Sequence, residues 1–241
     1  MRPGDILLKK LRIHSKLSGD EMAAIRKLPC QFRELSPDED VIRQGDRPKA
    51  AAVVIEGMVA RYHTLRSGRR QYLSLHIAGD WPDAQGLFLE EMDHSVCAVG
   101  EAFVCYLLHK DLKAVFDRRP SVAFAIWRET LVDAAIFREA ITNNSSRAGT
   151  ARLAHLFCEV YARAHSVGLV DRGSVSLPLT QTQIGEFLGM SLITVNRHLQ
   201  ALRRSGAADF RSGRLTVKNW DRLVKLGDFD AAYLHRKLMV V

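Results

Sequence analysis

The 241-residue chain has few cysteines and no long apolar run. None of its four cysteines belongs to a C-x-x-C motif, and no cluster of histidines and cysteines has the spacing of a zinc site. No apolar run approaches the roughly 20 residues that a membrane span needs. The N-terminal residues also lack the apolar core and the small-residue cleavage site of a signal peptide. These absences predict a soluble cytoplasmic protein without a structural metal.

Recognisable catalytic groupings are missing as well. The sequence has no nucleophile–base pair, paired carboxylates or phosphate-binding loop at a usable spacing. Its one dense polar group, Asp80, Asp83 and Asp93 near His94, fits a degenerate binding pocket better than a catalytic centre. We therefore expect a protein that is not an enzyme.

The cysteines themselves, Cys30, Cys97, Cys105 and Cys158, are interpreted as small buried apolar residues. Free cysteine is among the most buried residue types, which makes this the simplest role. A redox-sensing role for Cys97 or Cys105 is the alternative that the sequence leaves open.

Positive charge exceeds negative charge in the chain. Lysine and arginine number 35 against 27 acidic residues, which gives a net charge of +8. This balance is compatible with a polyanionic partner, although it also serves solubility. The hydrophobic fraction of 47% is enough for one large or two ordinary domains.

The strongest local pattern is a pair of short predicted helices joined by a tight turn. The helices span about 181–188 and 192–204, and Thr180 and Ser191 are suitable N-caps. Gly189 stands where a helix end requires a positive φ. The pattern is that of a helix-turn-helix, whose second helix enters the DNA major groove, or of a helical hairpin in some other core.

The second of these helices has two distinct faces. Val195, Leu199 and Leu202 form an apolar stripe for packing. The opposite face is polar and basic apart from one isoleucine, and it comprises Ile193, Arg197, Gln200 and Arg204, with Asn196 at its margin. This division favours DNA recognition.

The segment before this motif divides into a helical part and a β-rich part. The pattern of apolar residues from 1 to about 30 predicts one or two amphipathic helices, with Ser18 as an N-cap. Short β-rich runs with turns every eight to twelve residues then predict a sandwich or barrel. These runs are Val41–Asp46, Ala51–Ile55, Val59–Leu65, Gln71–Ile77, Val96–Val99 and Phe103–Leu108.

A long helix follows, from Pro120 to about Asn143, and its apolar residues cover more than one face. A second copy of the helix would cover the outer face and make a parallel dimer seam; a central helix in a monomer is the alternative. Asn143–Ser146 is the predicted linker. After a further helix and the helix-turn-helix, Arg211 and Arg214 flank the turn of a predicted β-hairpin wing.

This order of elements resembles the Crp/Fnr family of bacterial transcription regulators over nearly the whole chain. The resemblance lies in VIRQGD at 41–46, in Glu56-Gly57 and Gly79-Asp80, and above all in LTQTQIGEFLGMSLITVNRHLQALRRSG at 179–206. MDHSV and WRETLVDAAIFRE look closest to a branch common in alphaproteobacteria. The resemblance implies an α+β fold with a jelly-roll-like β-roll sensor domain (1–118), a dimerisation helix and hinge (119–146) and a winged helix-turn-helix domain (147–241).

The resemblance also implies roles for single residues at a DNA interface. Thr180, Gln181, Thr182, Ser191 and Thr194 match phosphate-contacting positions, which orient a protein on DNA without reading sequence. Arg197 matches an arginine that reads a base edge. We expect the interface to comprise Thr180, Gln181, Thr182, Ser191, Leu192, Ile193, Thr194, Asn196, Arg197, Gln200, Arg204, Arg211 and Arg214.

The recognition helix departs from the family at its start. Many members have a glutamate where this chain has Ile193, and an arginine or similar residue in place of Leu192. An apolar side chain can contact a thymine methyl group but cannot accept a hydrogen bond from cytosine N4. The half-site is therefore expected to differ from the usual family sequence.

The sensor domain departs further. Cyclic-nucleotide-binding members carry a glutamate for the ribose and an arginine for the cyclic phosphate; here Ala84 and His94 stand at those positions, beside Asp83 and Ser95. A buried phosphate needs a cation, so cyclic AMP is not expected to bind in the family manner. His94 could pair with an anion when protonated, although a solvated or structural role is the simpler one.

No cofactor is identified. An iron–sulfur cluster of the family type needs several N-terminal cysteines, and only Cys30 lies there; no histidine among His63, His76 and His94 is singled out as a haem ligand. An unknown small-molecule effector stays open. The expected partners are double-stranded DNA, a second copy of the chain and RNA polymerase, with no membrane. A sensory or protein-interaction module that has lost specific DNA binding is the alternative.

Overall fold

A computed structural model describes residues 3–236. The β-strands are β1 Gln31–Leu35, β2 Asp40–Ile42, β3 Ala50–Glu56, β4 Met58–Thr64, β5 Arg70–Ile77, β6 Ser95–Ala98, β7 Ala102–Leu108, β8 Ser174–Ser176, β9 Ala208–Arg211 and β10 Arg214–Val217. The α-helices are α1 Pro3–His14, α2 Gly19–Arg26, α3 His109–Arg118, α4 Pro120–Ser146, α5 Gly149–Ser166, α6 Gln181–Leu188, α7 Leu192–Arg204 and α8 Trp220–Gly227. The predicted α+β order is confirmed.

The N-terminal domain is a roll of two antiparallel sheets. One sheet has the order β1-β7-β3 and the other has the order β2-β6-β4-β5. Alternate valines of the facing strands, among them Val54, Val59 and Val104, fill the space between the sheets. At the β3–β4 turn Gly57 has a φ of 77°, and a Cβ there would lie 2.3 Å from the Glu101 carbonyl oxygen, so only glycine fits.

Helices α1 and α2 cover the outer face of the β1-β7-β3 sheet. Ser18 caps α2 through a reciprocal pair of hydrogen bonds with Glu21, as the sequence predicts. Leu7, Leu11 and Ile25 are buried against apolar residues of β3 and β7. Because this face is apolar, the two helices are a necessary cover for the roll.

The cysteines only partly follow the prediction. Cys105 is fully buried as expected, but it forms a disulfide with the partly buried Cys30, with Cα atoms 5.7 Å apart, and the interpretation as small apolar residues did not include this pairing. The antiparallel pairing of β1 with β7 brings them together, a relationship that sequence spacing does not reveal. Cys97 and Cys158 are free and buried as expected. Burial raises the pKa of each of these two thiols to about 12, which disfavours a reactive thiolate at Cys97.

The long helix α4 runs further than predicted. Asn143–Ser146 continues the helix rather than breaking it, because its polar side chains find partners: Asn143 donates to the Arg152 carbonyl oxygen at 3.1 Å and Asn144 to that of Phe187 at 3.3 Å. The chain leaves the helix only at Arg147, where ψ is 146°. The interruption between the two domains is therefore short and lies after the predicted linker.

The C-terminal domain contains α5 to α8 and a three-stranded sheet of order β8-β10-β9. Its core is formed by α5, α6 and α7, with the fully buried Phe157, Leu153, Ile184, Leu188 and Leu202. Strand β8 adds a third strand to the predicted two-stranded wing. Among residues 3–236, no helix is long and apolar enough to cross a membrane.

Candidate nucleic-acid interface

The first helix of the helix-turn-helix, α6, is fixed by its N-terminal residue. Thr180 Oγ1 accepts the backbone N–H of Gln183 at 3.1 Å, and Gln183 Oε1 accepts the backbone N–H of Thr180 at 2.8 Å. The next two residues, Gln181 and Thr182, lie in the first turn of α6, where backbone N–H groups have no acceptor within the helix. Such groups attract anions, so the three residues expected to contact phosphate lie where an anion would be bound.

The second helix, α7, begins in a similar way. Ser191 Oγ accepts the backbone N–H of Thr194 at 3.3 Å, and the two hydroxyls lie 2.9 Å apart. Gly185 of α6 allows the two helices to approach, since a Cβ there would lie 2.5 Å from the Met190 carbonyl oxygen. The turn at Gly189 has a φ of 64°. These contacts fix the angle at which α7 leaves the domain.

One face of α7 is turned to solvent, and it is the face that the sequence predicts. Val195, Leu199 and Leu202 are buried, whereas Ile193 is 83% exposed. The remaining exposed residues of this segment are Ser191, Leu192, Asn196, Arg197, Gln200, Arg203 and Arg204, with Thr194 partly exposed. In the described part of the chain Arg197 and Arg204 make no ion pair, so their charges are available to a partner.

The wing carries part of its charge in internal pairs. Asp209 accepts a hydrogen bond from Arg203 at 2.8 Å, which ties α7 to the wing, and forms an ion pair with Arg211 at 3.0 Å. Arg214 is exposed and makes no ion pair within residues 3–236. At the tip Ser212 and Gly213 both have positive φ, as a tight hairpin turn requires. Arg214 is therefore better placed than Arg211 to contribute free charge.

The helix-turn-helix also contacts the roll, which the sequence analysis did not predict. Gln71 Nε2 of β5 donates to the Glu186 carbonyl oxygen at 2.5 Å, and Gln183 Nε2 donates to Tyr72 Oη at 3.4 Å. These bonds join the middle of α6 to the sensor domain and leave the α7 face uncovered.

The four residues predicted to line an effector pocket are occupied by internal contacts. Both carboxylate oxygens of Asp83 accept the backbone N–H of Ala52, at 2.8 and 3.0 Å. His94 lies 2.7 Å from Asp93 and 3.1 Å from the Gln85 amide, and Ser95 accepts the Gln44 N–H at 3.0 Å. Ala84 is buried. None of these side chains points a free cation at a space where a phosphate could lie.

Burial shifts the ionisation of these groups towards their neutral forms. It raises the pKa of Asp83 to about 7, against the opposing effects of the Ala52 N–H and Arg61. It lowers the pKa of His94, and Arg61 lowers it further. The shift at His94 works against holding an anion here, because neutral imidazole carries no charge to pair with it.

Arg61 is the residue that the sequence analysis missed. Its side chain is only 4% exposed and enters the space between the roll and α4. It donates to the Pro82 carbonyl oxygen at 2.6 Å, forms an ion pair with Asp133 and lies over the Phe137 ring, 5.3 Å from the centroid. A charged residue among the buried residues of MVARYHT is the signal that could have identified it.

A second buried charge cluster joins the two domains. Asp80 accepts from Lys10 at 2.8 Å and from Arg163 at 2.6 Å, and Arg163 also lies 3.1 Å from Glu159. Burial alone would raise the pKa of Asp80, but the two cations hold it below its ordinary value. Asp80 was predicted to belong to a degenerate binding pocket; in the structure it lies at the contact between α1, the roll and α5.

Helix α4 carries an apolar stripe that residues 3–236 leave exposed. Positions 124, 127, 131, 134, 138 and 141 follow alternating steps of three and four residues, the a and d positions of a coiled coil. Phe124, Trp127, Leu131 and Ile141 on this stripe are all at least half exposed. The opposite side, with Val122, Ile126, Val132 and Ile136, is buried against the rest of the protein.

Comparison with protein families agrees with this arrangement. Residues 151–226 match a family described as the Crp-like helix-turn-helix domain, and residues 32–119 match the cyclic nucleotide-binding domain. The chain is 23% identical over 228 residues to the transcriptional activator protein FnrL of Cereibacter sphaeroides, covering 93% of this chain and 91% of that protein. It is 21% identical over 222 residues to the fumarate and nitrate reduction regulatory protein of Escherichia coli K12, with coverages of 92% and 88%.

Solved structures give the same fold. FixK2 from Bradyrhizobium japonicum superposes with a TM-score of 0.73 at 24% identity, covering 83% of this chain and 98% of that one. The c-di-GMP-responsive global regulator CLP from Xanthomonas campestris has a TM-score of 0.63 at 15% identity, with coverages of 83% and 99%. At these identities the likeness concerns the fold alone.

Proposed function

The chain belongs to the Crp/Fnr family of transcription regulators, and on that basis we propose that it acts as a homodimer on a pseudo-palindromic operator that it reads through α7. The feature that carries the proposal is the α7 face, where Arg197 and Arg204 are exposed and make no ion pair within residues 3–236 while the opposite face is buried. Arginine at such a position makes the commonest specific contact, to guanine O6 and N7.

The phosphate contacts would come from the ends of both helices and from the wing. The DNA backbone would be held by residues at the N-terminal ends of the two helices. These are Thr180, Gln181 and Thr182 for α6, and Ser191 and Thr194 for α7. Arg214 would add charge at one side of the recognition helix. Backbone contacts of this kind carry affinity and salt dependence, and α7 carries the sequence preference.

Dimerisation would use the exposed stripe of α4. Two parallel copies would bury Phe124, Trp127, Leu131 and Ile141 against their equivalents. A two-fold symmetric dimer of helix-turn-helix domains would read half-sites about one helical turn, roughly 34 Å, apart. The operator is then expected to have the two-fold symmetry of the protein.

The sensor domain is proposed not to bind cyclic AMP in the family manner. The positions where a glutamate and an arginine would hold the nucleotide are Ala84 and His94, and Asp83 adds a carboxyl group beside them. RNA polymerase as a partner and a cytoplasmic location are proposed from family membership. Movement of the C-terminal domain about Arg147 and Ala148 is the proposed means of regulation.

The experiment that tests the proposal is selection of bound sequences from a random double-stranded DNA pool, with and without a metabolite extract. A two-fold symmetric consensus is expected. Arg197→Ala should lose the sequence preference and keep salt-sensitive nonspecific binding. Arg118→Ala, which removes an exposed arginine of α3, is the matched control and should select the wild-type consensus.

Two results would contradict the proposal. One is an Arg197→Ala variant with unchanged specificity in a mobility-shift titration. The other is wild-type binding that shows neither sequence preference nor salt dependence, which would favour a protein-interaction module.

A further inference from the structure

Arg61 links two parts of the protein directly, the segment after β5 and helix α4. Its Nε donates to the carbonyl oxygen of Pro82, in the segment after β5, and its guanidinium pairs with Asp133 of α4. The same guanidinium lies over the ring of Phe137, one turn further along α4. One side chain of β4 therefore bonds the roll segment at 82 to the helix that carries the apolar stripe.

The surroundings leave little room for anything else. A cavity that shares Asp133 with this contact, and is lined in part by His76 and Ala84, has a volume of about 40 Å³. A water molecule needs roughly 10–15 Å³ of such volume, so this space suits a few waters and excludes a nucleotide.

Displacement of Arg61 would be costly. A buried guanidinium that loses its partner keeps the desolvation penalty without the compensating attraction. Asp133 is partly exposed, and the Pro82 carbonyl and the Phe137 ring complete the set of partners. The position of α4 relative to the roll is thus tied to Arg61 by the penalty for leaving this cation unpaired.

We propose that Arg61 is a positioning residue that takes the place of a small-molecule effector, holding α4 against the roll so that the dimer binds DNA with no ligand added. This inference depends on the proposed function, since DNA binding is what the arrangement supports. In this proposal the DNA affinity of the protein is set by its own Arg61 side chain rather than by a bound metabolite.

The test compares full-length wild-type protein, refolded from denaturant to remove bound metabolites, with Arg61→Ala, Arg61→Lys and Asp133→Asn. Affinity is measured by mobility shift on the DNA selected from the random pool. Wild type is expected to bind without additions, Arg61→Ala to lose roughly tenfold or more, and the lysine variant to fall between them. The control is Arg33→Ala. Arg33 is an exposed arginine of β1 that pairs with Glu39, and its variant should bind DNA as wild type does.

Chemical rescue separates positioning from general structure. Millimolar methylguanidinium chloride should restore DNA affinity to Arg61→Ala, because it can occupy the vacated site, and should not improve wild type. Sodium chloride at equal concentration is the comparison, since salt itself weakens DNA binding. If Arg61→Ala does not fold, Asp133→Asn decides the matter, with weakened DNA binding expected.

Two outcomes would overturn the inference: Arg61→Ala or Asp133→Asn binding within about twofold of wild type, or wild type that binds only when extract is added. Failure of every protein to bind any DNA would instead overturn the proposed function. In that case hydrogen exchange still tests the link, because Arg61→Ala should increase exchange in both α4 and the segment after β5, and unchanged exchange would refute it.

Discussion

Arg163 of α5 donates a 2.6 Å hydrogen bond to Asp80, the residue that ends the turn after β5. Both side chains are only 6% exposed, and Lys10 of α1 lies on the other side of the same carboxylate. Three segments that are distant in the sequence, α1, the roll and α5, thus share one buried anion. The C-terminal domain is held to the sensor domain by charge as well as by apolar packing.

Removal of the shared anion is expected to be more damaging than removal of one cation. Asp80→Ala leaves both Lys10 and Arg163 buried without this partner and should lower the free energy of unfolding by about 3–5 kcal/mol. Arg163→Met leaves the Lys10–Asp80 pair intact and should cost less. Urea unfolding followed by fluorescence and circular dichroism provides the two values.

The control for this comparison is the exposed pair of Arg47 and Glu91, with a similar distance of 2.6 Å. Exposed pairs contribute little, so Arg47→Ala should leave the unfolding midpoint nearly unchanged. Equal losses for Asp80→Ala and Arg47→Ala would show that the buried cluster does not hold the domains together.

The ionisation of Asp83 gives a prediction about pH. Burial raises its folded-state pKa from an ordinary value of 3.8 to about 7. Between these values the folded protein binds more protons than the unfolded chain, so the contribution of Asp83 to the free energy of unfolding falls as pH rises. Asparagine does not titrate, and its amide oxygen can still accept the Ala52 N–H.

Asp83→Asn should therefore become more stable relative to wild type as pH increases. Between about pH 5 and about pH 8 the stability difference should shift in favour of the variant by on the order of 2 kcal/mol. Buried histidines titrate in both proteins, and their contributions cancel in the difference. Asp93→Asn, at an exposed position, should show no comparable trend; a difference independent of pH for Asp83→Asn would mean that the buried carboxyl is ionised throughout.

The α4 stripe predicts the oligomeric state. Leu131→Lys places a charge at the centre of the proposed seam and should convert the dimer to a monomer in sedimentation velocity, because a buried charge without a partner is costly. Leu89→Lys is the matched control, since Leu89 and Leu131 are equally exposed, at 50%. A wild-type monomer, or a Leu131→Lys variant that stays dimeric, would exclude this seam.

Periodic patterns in the sequence predicted the fold well. The bounds of α6 and α7 agree with the predicted helices, because the caps at Thr180 and Ser191 and the glycine at 189 are local signals. Local turns also located most strands of the roll, although β1 was not among the predicted runs and β2 ends at Ile42, before the predicted end at Asp46. The error at Asn143–Ser146 arose because the partners of those side chains, the carbonyl oxygens of Arg152 and Phe187, lie elsewhere in the chain.

In the candidate sites, too, local features were predictable and contacts between distant segments were not. The exposure of Ile193, Arg197, Gln200 and Arg204 on α7 follows from helical periodicity, which predicted it. The partners of Arg61 and Arg163 could not be predicted, because Pro82, Asp133 and Asp80 meet them only after the roll and the helices have packed. The Cys30–Cys105 pair is a further case, fixed by the register of β1 and β7.

The start of α7 gives the sharpest test of sequence recognition. Ile193 is 83% exposed, so its replacement should scarcely change stability and any effect on binding reflects the DNA. Glutamate at this position can accept from cytosine N4, whereas isoleucine can contact only a thymine methyl group. Ile193→Glu is therefore expected to change the selected consensus at one base pair in each half-site, symmetrically.

The expected discrimination is about 1–3 kcal/mol per base pair, or roughly fivefold to 150-fold in relative affinity. Ile193→Val keeps an apolar side chain and should select the wild-type consensus. Parallel selections from one random pool compare the three proteins directly. If Ile193→Glu and wild type select the same sequence, residue 193 does not face a base pair, and α7 must enter the groove in another orientation.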